Sequence, residues 1–419
     1  MLHVLGAGIV GVMTAYHLAE DGHEVTVIDR EAEAAEGCSF GNAGLLAAGH
    51  SSPWAGPGAP RQMVKAALGL DPAIKIGGLP DAALAAWGIA FLGECTASAH
   101  ARNSGRLARL SRLSRELTRD IGERLGLDYA QQHEGSFYLF GDRRSFDEFA
   151  RAIEAGGHAD DFIACDAAGV VAREPAFARL AGELAGGFLS LVDSSGDCRR
   201  FTRELAGRLS ASGKVTFRHG VTATSLRRQA GRITAIETDA GAMPTAGVVV
   251  ALGTATPALL KPFGIRVPIV PVRGYSASFP ILDADRAPRL SAIDEVNFVG
   301  LSRLGDILRV TAIAEFASRE TSVPQHRADY LSAYAQRVFG DAIDVDNGSF
   351  WTGARPATPA GPPFLGRIAG IDNLYINAGH GTLGWTMSAA SGRLIADRIA
   401  GRAPMLADVS STAAWLEGC

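Results

Sequence analysis

The chain has 419 residues, of which 47% are hydrophobic and 20% are charged, and its formal net charge is −4 at pH 7. This composition is typical of a packed globular protein and excludes a disordered chain. The acidic balance argues against a nucleic-acid partner, which needs a basic surface for the phosphates. At this length we expect about two or three domains.

The first thirty residues follow the order strand, glycine turn, helix, strand. We predict a strand over Leu2–Leu5, a helix from about Val10 to Asp21 and a second strand over Glu24–Ile28. The turn between the first strand and the helix is a GxGxxG. This arrangement is typical of a Rossmann-like domain that binds a dinucleotide, so we predict an α/β fold.

Each glycine of this turn has a physical purpose. Gly6 permits the tight turn, Gly8 lets the backbone approach a pyrophosphate, and Gly11 lets the helix pack closely on the strand. Asp29 follows the second strand, where a carboxylate accepts hydrogen bonds from ribose hydroxyls. The alternative is a glycine-rich turn that binds nothing, but strand, glycines, helix and acid in register favour the binding site.

Cysteine content and hydropathy indicate the cellular compartment in which the protein is expected. No apolar run reaches the ~18 residues of a membrane span, and the run Ala82–Leu92 is better explained as a packed helix. Because the first strand begins at Leu2, we expect no signal peptide and a cytoplasmic protein. Without a C-x-x-C pair, we predict reduced thiols, neither disulfides nor metal ligands, for Cys38, Cys95, Cys165, Cys198 and Cys419.

A loop rich in Gly, Ala, Ser and Pro follows the first βαβ unit. Its residues Ser39-Phe40-Gly41-Asn42-Ala43-Gly44, with Ser52-Pro53-Trp54 further on, resemble the family of FAD-dependent D-amino-acid, glycine and sarcosine oxidases, and above all its dehydrogenase branch. The resemblance implies that this loop follows the flavin with its backbone. His50 departs from the pattern, because the dehydrogenases are expected to have a tyrosine there.

The middle of the chain carries no dinucleotide signature. Leucine and isoleucine at steps of three and four predict a helix over Ala101–Leu125. Its arginine-rich face could dock on anionic lipid, but interspersed acids favour a solvated face. We predict an antiparallel-sheet substrate domain inserted into the Rossmann-like FAD-binding domain. The FAD-binding domain takes residues 1–60, 193–262 and 348–419, and the substrate domain takes residues 61–192 and 263–347.

Further elements are expected between residues 192 and 316. A helix begins near Cys198 and alternating strands follow, and the resemblance makes Val221 and Gly253 candidates for backbone contacts to the adenine side. Val221 can equally be structural. We predict a strand over Pro268–Phe279 and a hairpin of Glu295–Arg303 with Ile307–Phe316.

Arg355, in the sequence Gly353-Ala354-Arg355-Pro356, is the expected anchor for a substrate carboxylate. The planar guanidinium makes two parallel charge-assisted hydrogen bonds to such a group, and the resemblance assigns this role to the same arginine. Tyr275 lies in an RGY motif that resembles a KGY whose tyrosine reaches the carboxylate, although packing is as good an explanation. Since Ala357 stands where some relatives carry a flavin-linking cysteine, we expect noncovalent FAD.

The motif from Gly379 to Thr386 gives the most specific resemblance, again to the dehydrogenase branch. A glycine turn leading into a helix, expected over Trp385–Ile399, directs free N–H groups at the flavin and stabilises negative charge on the reduced ring. His380 is expected to position the flavin rather than to act as an acid or base. The residues expected to bind the cofactor are Gly6, Gly8, Ile9, Val10, Gly11, Asp29, Arg30, Ser39, Asn42, Ala43, Gly44, Leu45, Val221, Gly253, Gly379, His380, Gly381, Thr382 and Leu383.

The resemblance implies oxidative deamination of D-amino acids to 2-oxo acids and ammonia, with hydride transfer from the α carbon to flavin N5. Electrons would pass to a quinone or another acceptor that is not oxygen, with possible peripheral contact at the inner membrane. His50 would bind the substrate amine or a polar side-chain group, or only a loop carbonyl. Three alternatives remain: a D-proline or hydroxy-D-proline dehydrogenase that gives a cyclic imine, a glycine or sarcosine oxidase, and a noncatalytic flavin-holding subunit.

Overall fold

A computed structural model describes residues 1–71, 73–318, 320–414 and 416–417. Cys419, one of the predicted reduced thiols, lies outside these residues, and the other four cysteines are free thiols. The α-helices are α1 (Ile9–Glu20), α2 (Ala59–Ala67), α3 (Ala82–Glu94), α4 (Ala97–Leu125), α5 (Arg143–Ala155), α6 (Ala167–Arg173), α7 (Cys198–Ala211), α8 (Thr256–Leu260), α9 (Gln325–Phe339) and α10 (Gly384–Ile399).

The β-strands fall into two large sheets and two small ones. They are β1 (Leu2–Leu5), β2 (Val25–Ile28), β3 (Leu45–Leu46), β4 (Ile74–Ile76), β5 (Ser136–Phe140), β6 (Phe162–Cys165), β7 (Gly186–Ser190), β8 (Ser194–Ser195), β9 (Val215–Arg218), β10 (Ala223–Gln229), β11 (Arg232–Thr238), β12 (Gly241–Pro244), β13 (Gly247–Val250), β14 (Val270–Pro280), β15 (Ser291–Asp294), β16 (Val299–Leu304), β17 (Ile307–Phe316), β18 (Ser349–Ala357), β19 (Phe364–Ile368), β20 (Leu374–Ala378) and β21 (Leu416–Glu417).

The first large sheet has the strand order β21-β19-β20-β13-β1-β2-β9, and its pairs from β20 to β9 are parallel. A strand that is buried on both faces has an almost continuous run of apolar residues. The fully buried strands β2 and β13 follow this rule. Helices α1, α7 and α10 pack on one face through apolar residues such as Met13, Phe201 and Ala389. The predicted Rossmann-like sheet is therefore confirmed.

The second large sheet has the order β18-β14-β17-β16-β15-β5-β7-β6, with β4 beside β17. Its pairs are antiparallel except β15 with β5 and β17 with β4. One face packs on α9 in a core that contains Phe279, Leu308 and Leu331. Because successive residues of a strand point to opposite faces, the alternate residues of these strands are free to line a site on the other face.

The structure moves some predicted boundaries. The predicted helix Ala101–Leu125 begins earlier, at Ala97, because Thr96 Oγ1 accepts a hydrogen bond from the Ala99 amide at 3.2 Å. The predicted strand from Glu295 begins only at Val299, since residues 295–298 form the turn between β15 and β16. The first two strands and α1 agree with the prediction within a residue or two.

The predicted domain boundaries differ from the sheets in two places. Strand β18 pairs with β14 along its whole length, so residues 349–357 belong to the second sheet although we assigned them to the FAD-binding segment. Helix α4, assigned to the substrate domain, packs on α10 through Leu107, Leu110 and Met387. The division into two domains stays a prediction.

Among the described residues, no single helix has the length and hydropathy to cross a bilayer. Helices α3 and α4 satisfy the length and composition requirement only as a pair, and they are bent by 99° relative to each other.

Candidate active site

A large cavity of about 1340 Å³ lies between the carboxyl edge of the first sheet and the free face of the second. Residues from both ends of the chain line it, together with the loop that follows residue 38. All residues predicted from the sequence to contact the cofactor or the substrate border this cavity, except Gly11 and Gly44. The tertiary structure thus brings almost the whole predicted set to one place.

The first glycine turn has the geometry that its sequence requires. Gly6 has a φ of +106°, and a Cβ there would lie 2.5 Å from the Ala251 carbonyl oxygen. A Cβ on Gly11 would lie 1.8 Å from the Gly6 oxygen, so Gly11 permits close helix packing and does not itself border the cavity. At Gly8 only Ser39 Oγ comes near, at 3.5 Å, which leaves open space beside the start of α1. Open space beside a helix N-terminus can accommodate a phosphate.

The end of β2 is fixed by backbone hydrogen bonds to one carboxylate. Asp29 accepts from the amides of Ala7 and Glu31, and its side chain still borders the cavity. Arg30 is exposed and pairs with Glu31 at 3.0 Å. The Val221 amide already donates to the Asp29 carbonyl oxygen at 3.0 Å. An adenine contact at Val221 would therefore rely on its carbonyl group.

Gly253 also borders the cavity, at the turn that follows β13. Its φ of +54° is the left-handed conformation that favours glycine. The predicted backbone contact at this position stays a prediction.

The loop from Ser39 to Leu45 is tied to both sheets. Ser39 Oγ accepts from the Ile9 amide at 3.0 Å, which joins the loop to the start of α1. Asn42 Oδ1 accepts from the Gly44 amide at 2.9 Å, and its carbonyl oxygen accepts from Arg309 at 3.0 Å. Gly44 has a φ of +84° and packs against Ser302 outside the cavity. Its role is to shape the loop.

The closing glycine turn brings backbone N–H groups to the opposite side of the cavity. Residues Gly381–Leu383 form a short 3₁₀ turn, and α10 begins at Gly384 with no side chain capping its N-terminus. A Cβ on Gly379 would lie 2.5 Å from Thr358 Cγ2, whereas Gly381, with a φ of +55°, faces open space. The Leu383 amide, one of those expected to be free, donates to the His380 carbonyl oxygen at 3.0 Å, and the dipole of α10 favours negative charge at this point.

His380 is buried, and its Nε2 lies 3.1 Å from Ser391 Oγ. Burial lowers the pKa of His380 to about 3. An imidazole with this pKa is neutral at physiological pH and a weak proton acceptor. The structure is consistent with the predicted positioning role and not with acid–base chemistry.

Arg355 projects from β18 into the cavity. Its guanidinium lies over Gly274 of the neighbouring strand, where a Cβ would meet Nη2 at 2.2 Å, and Nη1 donates to the Ile313 carbonyl oxygen at 2.8 Å. Ile313 has a φ of +70°, at the irregularity between β14 and β17 that turns this carbonyl toward the arginine. Glycine at 274 and the irregularity at 313 together create the space for the side chain.

The Arg355 guanidinium carries an uncompensated charge. In the described part of the chain it forms no ion pair with an aspartate or glutamate, and loss of hydration lowers its pKa from the ordinary value. Arg355 is half-buried, and a charge that has lost part of its hydration without a partner is costly, so a cationic group in this position attracts an anionic ligand. A carboxylate fits the planar fork.

Tyr275 is not placed beside Arg355, which favours the packing explanation over the carboxylate contact that the resemblance implies. In the register of β14 with β18, Arg355 pairs with Val272 and Tyr275 pairs with Thr352, so the two side chains point to opposite faces. Tyr275 packs in the core beneath α9 and donates to Glu315 Oε2 at 2.6 Å. Although Tyr275 borders the cavity, its hydroxyl is engaged away from the arginine.

His50 lies at the far end of the same cavity. Its ring stacks on Tyr138 and Phe149, with centroids 4.8 and 5.5 Å away, and its Nε2 lies 3.6 Å from Glu295 Oε1. Tyr138 in turn donates to the buried Asp193, which also accepts from the Gly49 amide. Of the alternatives given for His50, the bond to a loop carbonyl is not formed by Nε2, which faces a carboxylate, and binding of a substrate group stays a prediction.

Sequence reasoning missed several polar groups of the cavity, and two of them, Glu295 and Cys38, lie beside predicted site residues. Glu295 was assigned to a strand, and only its pairing with His50 marks it as part of the site. The Cys38 thiol is exposed and donates to the Ala354 carbonyl oxygen, beside Arg355. The position of Cys38 directly before Ser39 was a usable signal, whereas Glu295 had none.

Comparison with known proteins places the chain among flavoenzymes. Residues 2–398 match the family model described as DAO, FAD dependent oxidoreductase. A D-amino acid dehydrogenase from Cereibacter sphaeroides is 43% identical over 404 residues, covering 96% of this chain and 92% of that protein. A D-amino acid dehydrogenase from Xanthobacter autotrophicus is 41% identical, covering 96% and 95% of the two chains.

Solved structures share the fold at low sequence identity. Glycine oxidase from Bacillus cereus superposes with a TM-score of 0.75 at 18% identity, covering 99% of both chains. L-proline dehydrogenase from P. horikoshii superposes with a TM-score of 0.73 at 19% identity, covering 96% of this chain and 94% of that one. At these identities the likeness concerns the fold alone.

Proposed function

The chain belongs to the DAO family of FAD-dependent oxidoreductases, and we propose on this basis that it is a dehydrogenase that oxidatively deaminates D-amino acids. The net reaction converts a D-amino acid, water and an oxidised acceptor into a 2-oxo acid, ammonia and the reduced acceptor. The observation that carries the proposal is Arg355, an unpaired guanidinium on the wall of the cavity that the nucleotide-binding turns also border. The matching names of the relatives supply the substrate class.

The residues present fit FAD. The space beside Gly8 and the uncapped N-terminus of α10 offer backbone amides to a pyrophosphate and to an electron-rich ring, and Asp29 offers a carboxylate to a ribose. When bound, FAD supplies the acceptor for the hydride that leaves the substrate α carbon. The cavity volume of about 1340 Å³ exceeds that of an ordinary small-ligand pocket, which suits a dinucleotide with a substrate.

The contribution of the chain to the reaction is mainly positioning. Arg355 holds the substrate carboxylate through two parallel hydrogen bonds and so fixes the α carbon relative to the rest of the cavity. The amides at the start of α10 stabilise negative charge that develops near them. His380 takes no proton because its pKa is about 3. The amine proton leaves to water, with no side chain assigned as base.

Anaerobic mixing of purified holoenzyme with a panel of amino acids tests the proposed function. We expect D-alanine and other D-amino acids to bleach the flavin absorbance, and L-amino acids, glycine and sarcosine to leave it unchanged. Bleaching by glycine or sarcosine alone would indicate an oxidase of those substrates instead. Bleaching by no amino acid would contradict the proposal and favour a noncatalytic flavin-holding role.

The electrons pass to a quinone rather than to oxygen, and the protein contacts the inner membrane peripherally from the cytoplasm. The supporting observation is an apolar surface on α2, α3 and the segment between them, which we call the apolar patch. It exposes Val64, Leu68, Leu70, Leu79 and Ile89 to 60%, 68%, 71%, 93% and 75%. Contiguous exposed apolar residues mark membrane or protein contacts.

The cavity extends toward this apolar patch. Its lining includes Met63, Ile76, Leu84 and Phe91, so the segment that carries the apolar patch also borders the site. Lys65 on α2 adds a positive charge that anionic lipid attracts. By contrast, the arginine-rich face of α4 is engaged within the protein, since Arg112 pairs with Asp161 and Arg109 donates to the Asp408 carbonyl oxygen.

Vesicle sedimentation and acceptor assays test this second part. We expect wild-type protein to sediment with anionic vesicles and the double variant L68D/L70D to lose at least ten-fold in binding, while dye-coupled turnover is retained. The matched control is Leu282→Asp, which changes an equally exposed leucine outside the apolar patch. Equal binding by all three proteins would exclude the patch, and rapid peroxide formation in an oxygen electrode would exclude the quinone acceptor.

A further inference from the structure

One side of the cavity is apolar and carries no charge. Helices α2 and α3 and strand β4 form this side, and of the described residues 59–71 and 73–91 no Asp, Glu, Lys or Arg borders the cavity. Gln62 is the one amide side chain that this segment contributes to the wall. We call this space the apolar chamber, and its wall includes Trp54, Met63, Ile74, Leu84, Phe91 and Phe316.

Strand alternation directs apolar residues into the chamber and charged residues away from it. The cavity wall takes alternate residues of the paired strands β4 and β17, namely Ile74, Ile76, Ala314 and Phe316. Lys75 and Glu315 pair with each other between these residues, so their side chains lie on the opposite face of the sheet. There Glu315 accepts a hydrogen bond from the Tyr275 hydroxyl, and Lys75 donates to the Asp71 carbonyl oxygen.

One face of α3 completes the chamber. Leu84, Trp87, Gly88 and Phe91 follow each other at steps of three and one, so they share a face of the helix, and all four border the cavity. Ile89, which belongs to the apolar patch, lies on the other face and is exposed. The apolar chamber and the apolar patch are therefore on opposite sides of the same helix, and the chamber is available to a ligand of the cavity.

The apolar chamber begins directly beside Arg355. Val272, the partner of Arg355 in the register of β14 with β18, packs in the same apolar cluster as Trp87. Arg355 Nη1 donates to the Ile313 carbonyl oxygen at 2.8 Å, and the next residue, Ala314, already borders the cavity on the chamber side. Because these contacts are direct, the chamber starts where a carboxylate held by Arg355 would end.

The chamber has room for a ligand group and a wall that suits an apolar one. Gly88 borders the cavity, and a Cβ at this position would meet no atom within 4 Å. The rings of Trp54 and Trp87 lie 6.2 and 5.7 Å from the ring of Phe316, measured between centroids. Aromatic rings contribute a large apolar contact area. A charged group that enters this space would lose hydration without gaining a partner on this wall.

We propose that the apolar chamber binds the side chain of the substrate, so that the enzyme selects D-amino acids with large apolar or aromatic side chains. This inference rests on the proposed function, because it assumes that Arg355 holds the substrate carboxylate. The side chain leaves the same α carbon as the carboxylate and enters the chamber beside the arginine. Burial of a phenyl or butyl group predicts a preference over D-alanine of about ten-fold to a hundred-fold.

Anaerobic stopped-flow reduction of the holoenzyme flavin tests the proposal, because no electron acceptor takes part. The measured quantities are the second-order rate constants for D-phenylalanine relative to D-alanine and for D-norleucine relative to D-lysine. Gly88→Leu fills the chamber, and Gln62→Glu adds a carboxylate with almost no change in volume. The matched controls are Gly93→Leu, on the same helix and with the same open space for a Cβ, and Gln229→Glu on β10, and neither residue borders the cavity.

We expect wild type and both controls to prefer D-phenylalanine and D-norleucine by about ten-fold or more. Gly88→Leu should bring the first ratio near one, and Gln62→Glu should lower the second about five-fold.

A wild-type preference for D-alanine or D-lysine would overturn the proposal. Ratios that Gly88→Leu leaves unchanged, while reoxidation by a quinone slows, would overturn it too and assign the chamber to the acceptor. If Gly88→Leu does not fold, the nearly isosteric Gln62→Glu decides by the second ratio. Failure of every D-amino acid to reduce wild-type flavin would instead contradict the proposed function, so the two failures are distinguishable.

Discussion

Asn377 Nδ2 donates a hydrogen bond of 2.9 Å to Thr14 Oγ1, across 363 residues of the chain. Thr14 lies in α1, directly after the first glycine turn, and Asn377 lies at the end of β20, directly before the closing one. Both side chains are fully buried, and Thr14 Oγ1 passes its own hydrogen to the Val10 carbonyl oxygen at 2.7 Å. This pair therefore fixes the two glycine turns relative to each other.

Removal of this hydrogen bond should loosen the cofactor site. Thr14→Val leaves the buried Asn377 amide without its acceptor, which costs about 1–3 kcal/mol of unfolding free energy. We expect Thr14→Val to lower the Tm and to raise the Kd of FAD about ten-fold, measured by thermal denaturation and by titration of the apoprotein. Thr14→Ser keeps the hydroxyl and is the matched control, and a Thr14→Val protein with unchanged FAD affinity would contradict the linkage.

Arg355 should determine substrate affinity without affecting the flavin. In Arg355→Leu the bidentate hydrogen bonds are lost, so we expect KM for D-alanine to rise by two orders of magnitude or more. Arg355→Lys keeps the charge but not the fork and should fall between the two. Steady-state kinetics and the visible flavin spectrum measure both effects. Full turnover of the Leu variant at wild-type KM is the result that would refute this assignment.

The flavin should be bound without a covalent link. Ala357, at the position where some relatives have a cysteine, is buried and its carbonyl oxygen accepts from Trp87 Nε1 at 3.0 Å. Acid precipitation of the holoenzyme should therefore release all the yellow colour into the supernatant. Cys38 is a thiol on the cavity wall, so Cys38→Ser is the appropriate comparison. Colour retained by wild-type protein and released by Cys38→Ser would show a bond to that thiol.

Asp193 should make stability depend on pH. Burial raises the pKa of this carboxyl to about 6, whereas it is near 3.8 in the unfolded chain. The folded protein therefore binds more protons between pH 4 and 6, and the stabilisation present below pH 4 is lost as pH rises to 6. Two pH units correspond to about 3 kcal/mol.

The variant Asp193→Asn removes this titration. We expect the Tm of wild type relative to the variant to fall as pH rises from about 4 to 6 and to stay constant above that. Comparing the two proteins at each pH cancels the contribution of groups that both proteins share. Parallel Tm curves for the two proteins across this interval would show that Asp193 does not titrate there.

Local patterns were sufficient wherever a short segment forms its own structure. The first glycine turn, α1 and the start of α10 depend on backbone sterics and on apolar periodicity within a dozen residues, and these elements lie where the sequence predicts them. The boundary errors have equally local causes. At Asp294, side-chain hydrogen bonds to Val296 and Asn297 form a turn where alternation alone suggested a strand.

The sequence by itself determined the nucleotide-binding fold, since glycine spacing specifies its turns without reference to distant parts of the chain, whereas the role of Arg355 stays a prediction based on residue chemistry and the family resemblance. Only the tertiary structure decided that Tyr275 points away from Arg355 and that Glu295 meets His50. The face on which a strand residue lies depends on its register with partners far away in the sequence. A shift of one residue reverses that face, and no local pattern records it.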